Sequence, residues 1–444
     1  MTRFGTDTRR PSARGSKLLG AASALCAVLF TVAACSSSGG TSSSTGTSTS
    51  TGTSSSTGAS TSTGTSTSTG KSVILIGSEM PLSGPLIVMP QLEAGIEAAV
   101  SSINAAGGID GHQLKLVTCD TEYDPNKELN CMRTLIGDKV TAVVAPAILN
   151  DPSGAEYQLS KAAGIPVIGS LGLTEVEYNS PGVFPLVGGI PGWYYGAVEH
   201  LLALGKRHIA FLGESTPGAV LSGQLTEDAI KSAGLTPSAI VDTDTTADPT
   251  FAVGAAKAIA NGTDGVVLGT NPQFLPKAYL AVRNAGFKGP IATISSIVSP
   301  ATIKALGSAG NGLLITSDVA LPSDSANPSV AAFLAAMKKY QPSASLEELT
   351  MDGWAATQLL AKVAGGLSDP SSVNIMNALE NLSSPVDIGV MGSFAQPIKP
   401  PYLAKFPDIY NPMVVNGTVE NGTIVSDGKG FVDPFTTLAK LAGS

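Results

Sequence analysis

Short apolar runs alternate with helix-like stretches along the chain from residue 72 onward. The first run, residues 73–76, is continuous and rich in β-branched residues, which predicts a buried strand. A glycine pair follows residues 91–105, which predicts a helix that ends at a glycine C-cap. Because strands and helices repeat in this order, the pattern predicts parallel sheets covered by helices.

The predicted elements fall into two sets. In the first set, strands are predicted at 113–118, 140–145 and 166–169, and helices at 124–137 and 152–163. In the second set, helices are predicted at 191–204, 222–233, 250–260 and 274–285, and strands at 208–212, 239–241, 265–268 and 290–293. After a strand at 312–316, helices near 328–340 and 352–365 are expected to return to the first set.

The expected fold class is therefore α/β, with two doubly wound parallel-sheet lobes joined by hinge crossovers. Lobe 1 is predicted to contain residues 72–186 and 318–388. Lobe 2 is predicted to contain residues 187–317 and 389–444.

A different pattern precedes residue 72. Five basic residues within the first 17 positions lead into an apolar stretch at 18–32, which is too short to cross a membrane comfortably as a helix. Small residues come directly before Cys35. This arrangement resembles a bacterial lipoprotein signal, in which residues 1–34 are removed and Cys35 is acylated. The alternative is an ordinary secretory peptide with a chance cysteine.

Residues 36–70 contain only Ser, Thr, Gly and a single Ala. This composition has no apolar surface to offset the entropy of ordering, so residues 35–71 are predicted to be a lipidated cysteine and a disordered linker. Several acyl chains together hold a protein at a bilayer. We therefore expect a lipid-anchored protein on the extracellular or periplasmic face of the cell membrane.

The net charge of the body disfavours nucleic acid as a partner. Without residues 1–34, the chain carries 21 Lys and Arg against 33 Asp and Glu, a net charge of −12. An acidic body without a basic patch is a poor candidate for nucleic-acid binding. The body is longer than one core usually organises, which favours two lobes. We expect it to be a monomer.

Cys119 and Cys131 are the two cysteines of the body. They lie about a dozen residues apart, at a predicted strand end and on the next helix, which in an exported protein favours a disulfide. Two buried thiols are the alternative. A metal site is not expected, because no histidine or further cysteine lies nearby in sequence. No cofactor is expected.

Three motifs at the start of the body carry a family resemblance. Residues 74–84 read ILIGSEMPLSG, residues 103–111 read INAAGGIDG, and residues 117–120 read VTCD before Asp124 and Pro125. In this order and spacing they resemble type 1 periplasmic-binding proteins of the branched-chain amino acid binding family. The resemblance extends from residue 72 to the end of the chain. It implies a two-lobed clamp that captures a small solute in the cleft between the lobes and presents it to an ABC transporter permease.

The resemblance implies three ligand-binding loops in the first lobe. Ser83 and Gly84 lie in the first loop, where glycine permits close backbone approach and a hydroxyl can meet a polar ligand. A helix-capping role is the alternative for Ser83. Asn150 falls where the family places a hydroxyl that grips a ligand carboxylate. Ser170 and Leu171 belong to a loop that holds the head group of an amino acid in the family.

In the second lobe, Trp193 and Tyr195 begin a helix at the expected cleft entrance, where aromatic rings can cover a ligand. Hinge or core packing is the alternative for each ring. Thr216 follows a strand and is expected to face the cleft. Asn271 and Phe274 lie in a loop where amino-acid binders of the family use an acidic residue against the ligand ammonium.

Phe274 bears on the kind of ligand. A buried ammonium without a counter-charge costs several kcal/mol. An α-amino acid is therefore disfavoured as the ligand unless Glu214 substitutes for the missing acid. The expected ligand is a small polar or amphipathic solute.

Catalytic patterns are weak. None of the three histidines lies beside a plausible nucleophile in sequence, and residues 188–192 lack the pattern of a phosphate loop. We expect a binding protein and not an enzyme. The leading hypothesis is a solute-binding lipoprotein for import. A ligand-sensing receptor of the same fold and an extracellular hydrolase are the alternatives.

Overall fold

The structure is a computed structural model that describes residues 71–84, 87–400 and 403–443. The predicted signal at 1–34, the acylation site Cys35 and nearly all of the linker at 35–71 lie outside the described residues. The described residues form one compact unit.

The first sheet is entirely parallel. Its strands are β1 (Ile74–Met80), β2 (Leu114–Asp120), β3 (Ala142–Val144), β4 (Val167–Ile168) and β5 (Val183–Phe184). Helices in this part are α1 (Pro90–Ala105), α2 (Pro125–Gly137) and α3 (Ala155–Ala162). The strand order is β2-β1-β3-β4-β5. The predicted βαβ rhythm is confirmed here.

The second sheet has seven strands. They are β6 (Ile209–Glu214), β7 (Ala239–Thr243), β8 (Gly265–Gly269), β9 (Ile291–Ile294), β10 (Leu313–Ser317), β11 (Val414–Glu420) and β12 (Thr423–Val432). Its helices are α4 (Gly189–Ala203), α5 (Pro217–Ser232), α6 (Ala252–Ala258), α7 (Leu275–Asn284) and α8 (Pro300–Leu306). The order is β12-β11-β10-β9-β8-β6-β7.

The last two strands make this sheet mixed. β11 pairs antiparallel with both β10 and β12, whereas the other strands of the sheet are parallel. Asn421 and Gly422 join β11 to β12, and both have positive φ, at 49° and 86°. A two-residue connection of this kind permits only antiparallel pairing. The repeated βαβ pattern predicted parallel strands, whereas the Asn-Gly pair is a turn signal for a hairpin at this position.

Four further helices complete the described chain: α9 (Pro328–Tyr340), α10 (Glu348–Ala364), α11 (Ser372–Glu380) and α12 (Pro434–Ala442). One hydrophobic core combines residues from 74–187 with residues from 319–394. Two other core clusters lie around the second sheet, drawn mainly from 190–315 and 403–438. Residues of α9 and α10 therefore pack in the core of the first sheet.

Helices α1 and α10 approach each other closely. A Cβ atom at Gly95 would collide with the backbone carbonyl of Thr350, and one at Gly353 would collide with the carbonyl of Leu92. Both helices are therefore in backbone contact at these two glycines. This contact fixes the position of the first turns of α10.

Two local predictions are confirmed. The Asp124 carboxylate accepts hydrogen bonds from the backbone N–H groups of Asn126 and Lys127, and so caps α2. Cys119 and Cys131 form a disulfide with a Cα–Cα distance of 5.6 Å. The alternative of two buried thiols is thereby removed.

Candidate functional site

In an open α/β sheet, a ligand crevice forms outside the carboxyl ends of the strands, where the chain order reverses. In the first sheet this reversal lies between β1 and β3. In the second it lies between β6 and β8. The polar residues that follow these strands are therefore the first candidates for a site.

The loop after β1 is held by Asp120, the last residue of β2. The Ser83 hydroxyl donates to Asp120 Oδ2 over 2.6 Å, and the N–H groups of Leu82 and Ser83 donate to Oδ1. Gly84 has a φ of 125°, and a Cβ there would lie 2.9 Å from the Glu122 carbonyl oxygen. The N-cap of α1 is Met89, so Ser83 does not cap that helix.

Asn150 already has partners within the protein. Its backbone N–H and side-chain Nδ2 donate to the carboxylate of buried Glu128 over 2.9 and 3.0 Å, and Nδ2 also donates to the Tyr123 carbonyl. The donors that the resemblance assigned to a ligand carboxylate thus contact an internal carboxylate.

The loop at 170–174 shows the same arrangement. Buried Glu177 accepts hydrogen bonds from the N–H groups of Gly172, Leu173 and Thr174 over 2.7 to 2.8 Å, and from the Thr174 hydroxyl. Ser170 and Leu171, the first two residues of this loop, are buried. Glu177 therefore occupies the donors that the resemblance assigned to the head group of an amino acid.

Trp193 and Tyr195 lie on α4 and are both buried. The indole Nε1 of Trp193 is directed towards the carboxylate of Asp318. The Tyr195 ring packs against Phe435 of α12, with the ring centroids 4.9 Å apart. Of the two roles considered, core packing is the one observed for Tyr195, whereas Trp193 lies beside an acid.

Glu214, Thr216 and Asn271 lie close together where the strand order of the second sheet reverses. The Asn271 N–H donates to Glu214 Oε1 over 2.8 Å, and the Thr216 hydroxyl lies 3.4 Å from the same oxygen. Glu214 is 1% exposed, and its Oε2 has no hydrogen-bond partner among the described residues. Burial raises the pKa of this carboxyl.

Phe274 is close to this group in sequence but packs elsewhere. Its ring lies 6.0 Å from the Phe251 ring and joins the apolar cluster under α6 and α7. The Lys277 ammonium is 5.4 Å from the Phe274 ring centroid. The structure therefore gives Phe274 a packing role.

A group of three buried acids lies where the two core regions meet. Asp318 directly follows β10, and Glu348 and Asp352 lie one turn apart at the start of α10. One carboxylate oxygen from each lies within 4.8 Å of the others. Burial raises the pKa of Asp318 to about 7 and raises the pKa values of Glu348 and Asp352 well above their usual range, with mutual repulsion adding to the effect.

These three acids, which we call the acidic triad, were not among the predicted site residues. The available signal was the pair of acids at positions i and i+4 of a helix whose remaining face is apolar. Such a pair faces the core together with the apolar residues. That placement makes both acids unusual, because buried acids are rare without partners.

A separate pair of buried acids lies near the end of β1. Glu79 and Glu156 are both buried, and burial is the main cause that raises their pKa values, for Glu156 to about 8. Repulsion from Glu128 and Asp151 contributes further. This pair was also not predicted.

A cavity of about 800 Å³ opens elsewhere, beside the start of α9, residues 387–398 and β12. None of the predicted ligand residues lines it. Within the part of the chain that the structure describes, no helix has the length and apolar character needed to cross a membrane.

The chain is similar in sequence to one protein family and to several of its relatives. The sequence profile of the family described as "Periplasmic binding protein" matches residues 73–402. Leu/Ile/Val-binding protein homolog 7 of Brucella abortus is 34% identical over 111 residues, which are 25% of this chain and 27% of the relative. Homolog 2 of the same organism is 36% identical over 72 residues, 16% of this chain and 19% of the relative. These alignments span about a quarter or less of each relative.

Solved structures agree over most of the chain. An extracellular ligand-binding receptor from Verminephrobacter eiseniae has a TM-score of 0.68 at 22% identity, covering 80% of this chain and 99% of that one. The branched-chain amino acid transporter substrate-binding protein of Streptococcus pneumoniae, solved with isoleucine, has a TM-score of 0.61 at 20% identity, covering 80% and 98%. At this identity the likeness shows the fold. The predicted α/β class with two sheets is confirmed.

These relatives are substrate-binding proteins and not enzymes, which removes support for the hydrolase alternative. The profile covers well over half of the sequence. The chain is a member of the periplasmic binding protein family.

Proposed function

We propose that the protein is an extracytoplasmic solute-binding lipoprotein that captures a small ligand between two lobes and delivers it to an ABC importer. Membership of the family supports a solute-binding role outside the cytoplasm. The lipid anchor at Cys35, the cleft and the transporter partner are parts of the proposal.

One observation carries the proposal. The hydroxyl of Ser295, which follows β9 of the second sheet, is hydrogen-bonded to the Glu348 carboxylate, at the start of a helix packed on the first sheet. Buried polar groups from both halves thus meet at the carboxyl ends of β9 and β10. Buried polar groups are unusual in a purely structural contact, because an apolar contact avoids their desolvation cost.

In this proposal, residues 72–186 with 318–388 form one lobe and residues 187–317 with 389–444 form the other. The separate hydrophobic cores of the two sheets support this division up to residue 388, whereas Val390, Met391 and Phe394 belong to the core of the first sheet. Ligand stabilises a closed form by contacting both lobes at once. Trp193, Thr216 and Asn271 lie beside buried acids and remain candidate contacts, whereas the donors of Asn150 serve Glu128.

Small-angle scattering on the purified full-length chain, combined with thermal unfolding, tests solute capture. A ligand at 100 times its dissociation constant raises the free energy of unfolding by about 2.7 kcal/mol. We expect a bound solute to reduce the radius of gyration at the same time. A solute that stabilises the protein at saturation without changing the radius of gyration contradicts hinge closure.

Ligand identity comes first, because the solute must be known for this test. Mass spectrometry of small molecules released from the purified chain by denaturation identifies a retained ligand.

Phe274→Ala serves as the packing control. We expect this variant to lose stability and to keep its affinity, because Phe274 packs against Phe251.

Measuring the cellular uptake of the identified solute distinguishes an import role from a sensing role. Cells that lack the protein should take up labelled solute at a strongly reduced rate if it delivers to an importer. Unchanged uptake together with a lost transcriptional or behavioural response favours the sensing alternative.

A further inference from the structure

The acidic triad lacks a positive partner. None of the ion pairs among the described residues involves Asp318, Glu348 or Asp352. The neighbouring charged group Glu347 is also acidic. Ionised carboxylates in a buried position are stable only when a positive charge or several donors offset their desolvation.

Two serine hydroxyls contact the acidic triad, and each faces more acceptor atoms than it has protons to donate. The Ser317 hydroxyl lies 2.8 Å from both the Val319 carbonyl and Glu348 Oε2, but it has a single proton. The Ser295 hydroxyl likewise faces both the Thr316 carbonyl, at 3.1 Å, and Glu348 Oε2. Acceptors therefore outnumber donors, and a group that brings several N–H donors would fill the deficit.

Other acceptors in the triad are also unsatisfied. Both oxygens of Asp318, one oxygen of Glu348 and one of Asp352 have no hydrogen-bond partner of normal geometry within the described chain. Trp193, which is 3% exposed, points its indole N–H towards Asp318 and likewise has no partner of normal geometry. An aromatic ring beside carboxylates is a common environment for an organic cation.

An independent observation concerns the opposite ligand charge. The donors of Asn150 and of the loop at 170–174 contact Glu128 and Glu177. Glu128 therefore occupies the donors of Asn150, which the resemblance assigned to a ligand carboxylate, and Glu177 occupies the loop assigned to the head group of an amino acid. A ligand carboxylate would find these donors taken and would add a further negative charge near buried acids.

We infer that the solute is an organic cation of net positive charge, such as a diamine or a guanidinium compound without a carboxylate, bound by the acidic triad. This inference rests on the proposed solute-binding function and specifies its substrate class. The ligand ammonium groups supply both the positive charge and the N–H donors that Asp318, Glu348 and Asp352 lack.

Binding of such a cation should release protons from the acidic triad, and this release can be measured. In the empty protein, burial favours the protonated forms of these carboxyls, since it raises their pKa values. A bound cation favours the ionised forms, so roughly one proton is released for each cation bound near neutral pH. A neutral or zwitterionic solute bound elsewhere releases none from the triad.

Isothermal titration calorimetry of the full-length chain in two buffers of different ionisation enthalpy tests this inference. The probes are 1,4-diaminobutane, agmatine, the uncharged isostere 1,4-butanediol, zwitterionic leucine and calcium chloride. We expect the two cations to bind at least 100-fold more tightly than 1,4-butanediol, with a binding enthalpy that depends on the buffer.

Asp318→Asn and Asp352→Asn test the triad itself. Each amide has nearly the volume of the protonated carboxyl, so both variants should fold, but it cannot ionise, so the affinity for 1,4-diaminobutane should fall at least tenfold. Glu199→Gln is the matched control. Glu199 is a half-buried acid of α4 that accepts a hydrogen bond from Asn416 over 3.0 Å, and its variant should bind as the parent does.

The outcomes separate the two proposals. Tight binding of leucine or of 1,4-butanediol without binding of either amine contradicts the cation inference and leaves solute capture intact. Binding of calcium alone also contradicts it, in favour of an inorganic ion. A chain that binds no probe and releases no small molecule on denaturation contradicts both proposals.

Discussion

Asn150 and Glu177 show that the partner of a side chain decides its role. Position along the chain placed Asn150 and the loop at 170–174 near the carboxyl ends of strands, where the structure has them. Their donors nevertheless contact internal carboxylates. At the scale of the residue, the distinctive chemistry of this protein is a surplus of buried acids.

Glu156 provides a test of that surplus. Its pKa is raised to about 8, whereas the same group in the unfolded chain has an ordinary value near 4.5. Between these values the unfolded state binds fewer protons than the folded state. The stability that Glu156 contributes is therefore present below about pH 4.5 and is lost as the pH rises towards 8.

We expect Glu156→Gln to remove this loss. The variant should match the parent near pH 4.5 and should exceed its free energy of unfolding by roughly 1 to 3 kcal/mol at pH 8. Urea denaturation at the two pH values measures the difference. Glu227→Gln is the control, because Glu227 forms an exposed pair with Lys231. A gain for Glu156→Gln that is equal at both pH values contradicts the assignment.

Sequence could predict the caps but not the buried acids. Asp124 precedes a proline at a helix start, so its role follows from local chemistry. Asp318 has no comparable local signal. Its burial depends on α10, which lies 30 residues further along the chain, and on the packing of that helix against α1.

Helix α10 is the element that brings two of the three acids to the second sheet. Gly95 and Gly353 allow its backbone to contact α1, and Glu348 and Asp352 lie within five residues of Gly353. The separation of the two helices thus determines where these carboxylates lie.

Gly353→Ala should separate the helices. Because the added methyl group meets the backbone carbonyl of Leu92, the free energy of unfolding should fall by on the order of 3 kcal/mol. Gly137→Ala is the matched control, since nothing lies within 4 Å of a Cβ at that helical position. Thermal and urea denaturation compare the two. Equal stability of both variants contradicts a backbone contact between α1 and α10.

Most elements of the fold were predictable because each carries a local pattern. Strands β1 to β4 and β6 to β10 are short apolar runs, and the structure has them within a few residues of their predicted bounds. The strand β5, with two residues, is too short to show a period. The hairpin of β11 and β12 was missed although Asn421 and Gly422 carry a turn signal, because the rhythm of parallel strands was extended too far.

For the whole molecule, the proposed anchor is the part that controls location. Several acyl chains hold a protein at a bilayer where a single chain does so only weakly. In this proposal, the Ser/Thr/Gly composition of residues 36–70 predicts a tether of roughly 30 to 35 Å in root-mean-square length between membrane and body.

Cys35→Ser should release the protein from the membrane. After cell fractionation, we expect the parent in the membrane fraction and the variant in the soluble or secreted fraction. Cys26→Ser is the control, because Cys26 precedes the proposed cleavage position and should not affect anchoring. Membrane retention of Cys35→Ser contradicts acylation at this residue.

The link between Cys119 and Cys131 ties the end of β2 to α2. Thiols stay reduced in the cytosol, so a protein whose family acts outside the cytoplasm forms this link only after export. A cross-link of this span contributes about 3 kcal/mol to stability. The chain is thus easier to keep unfolded before export, and the exported chain resists unfolding and proteolysis.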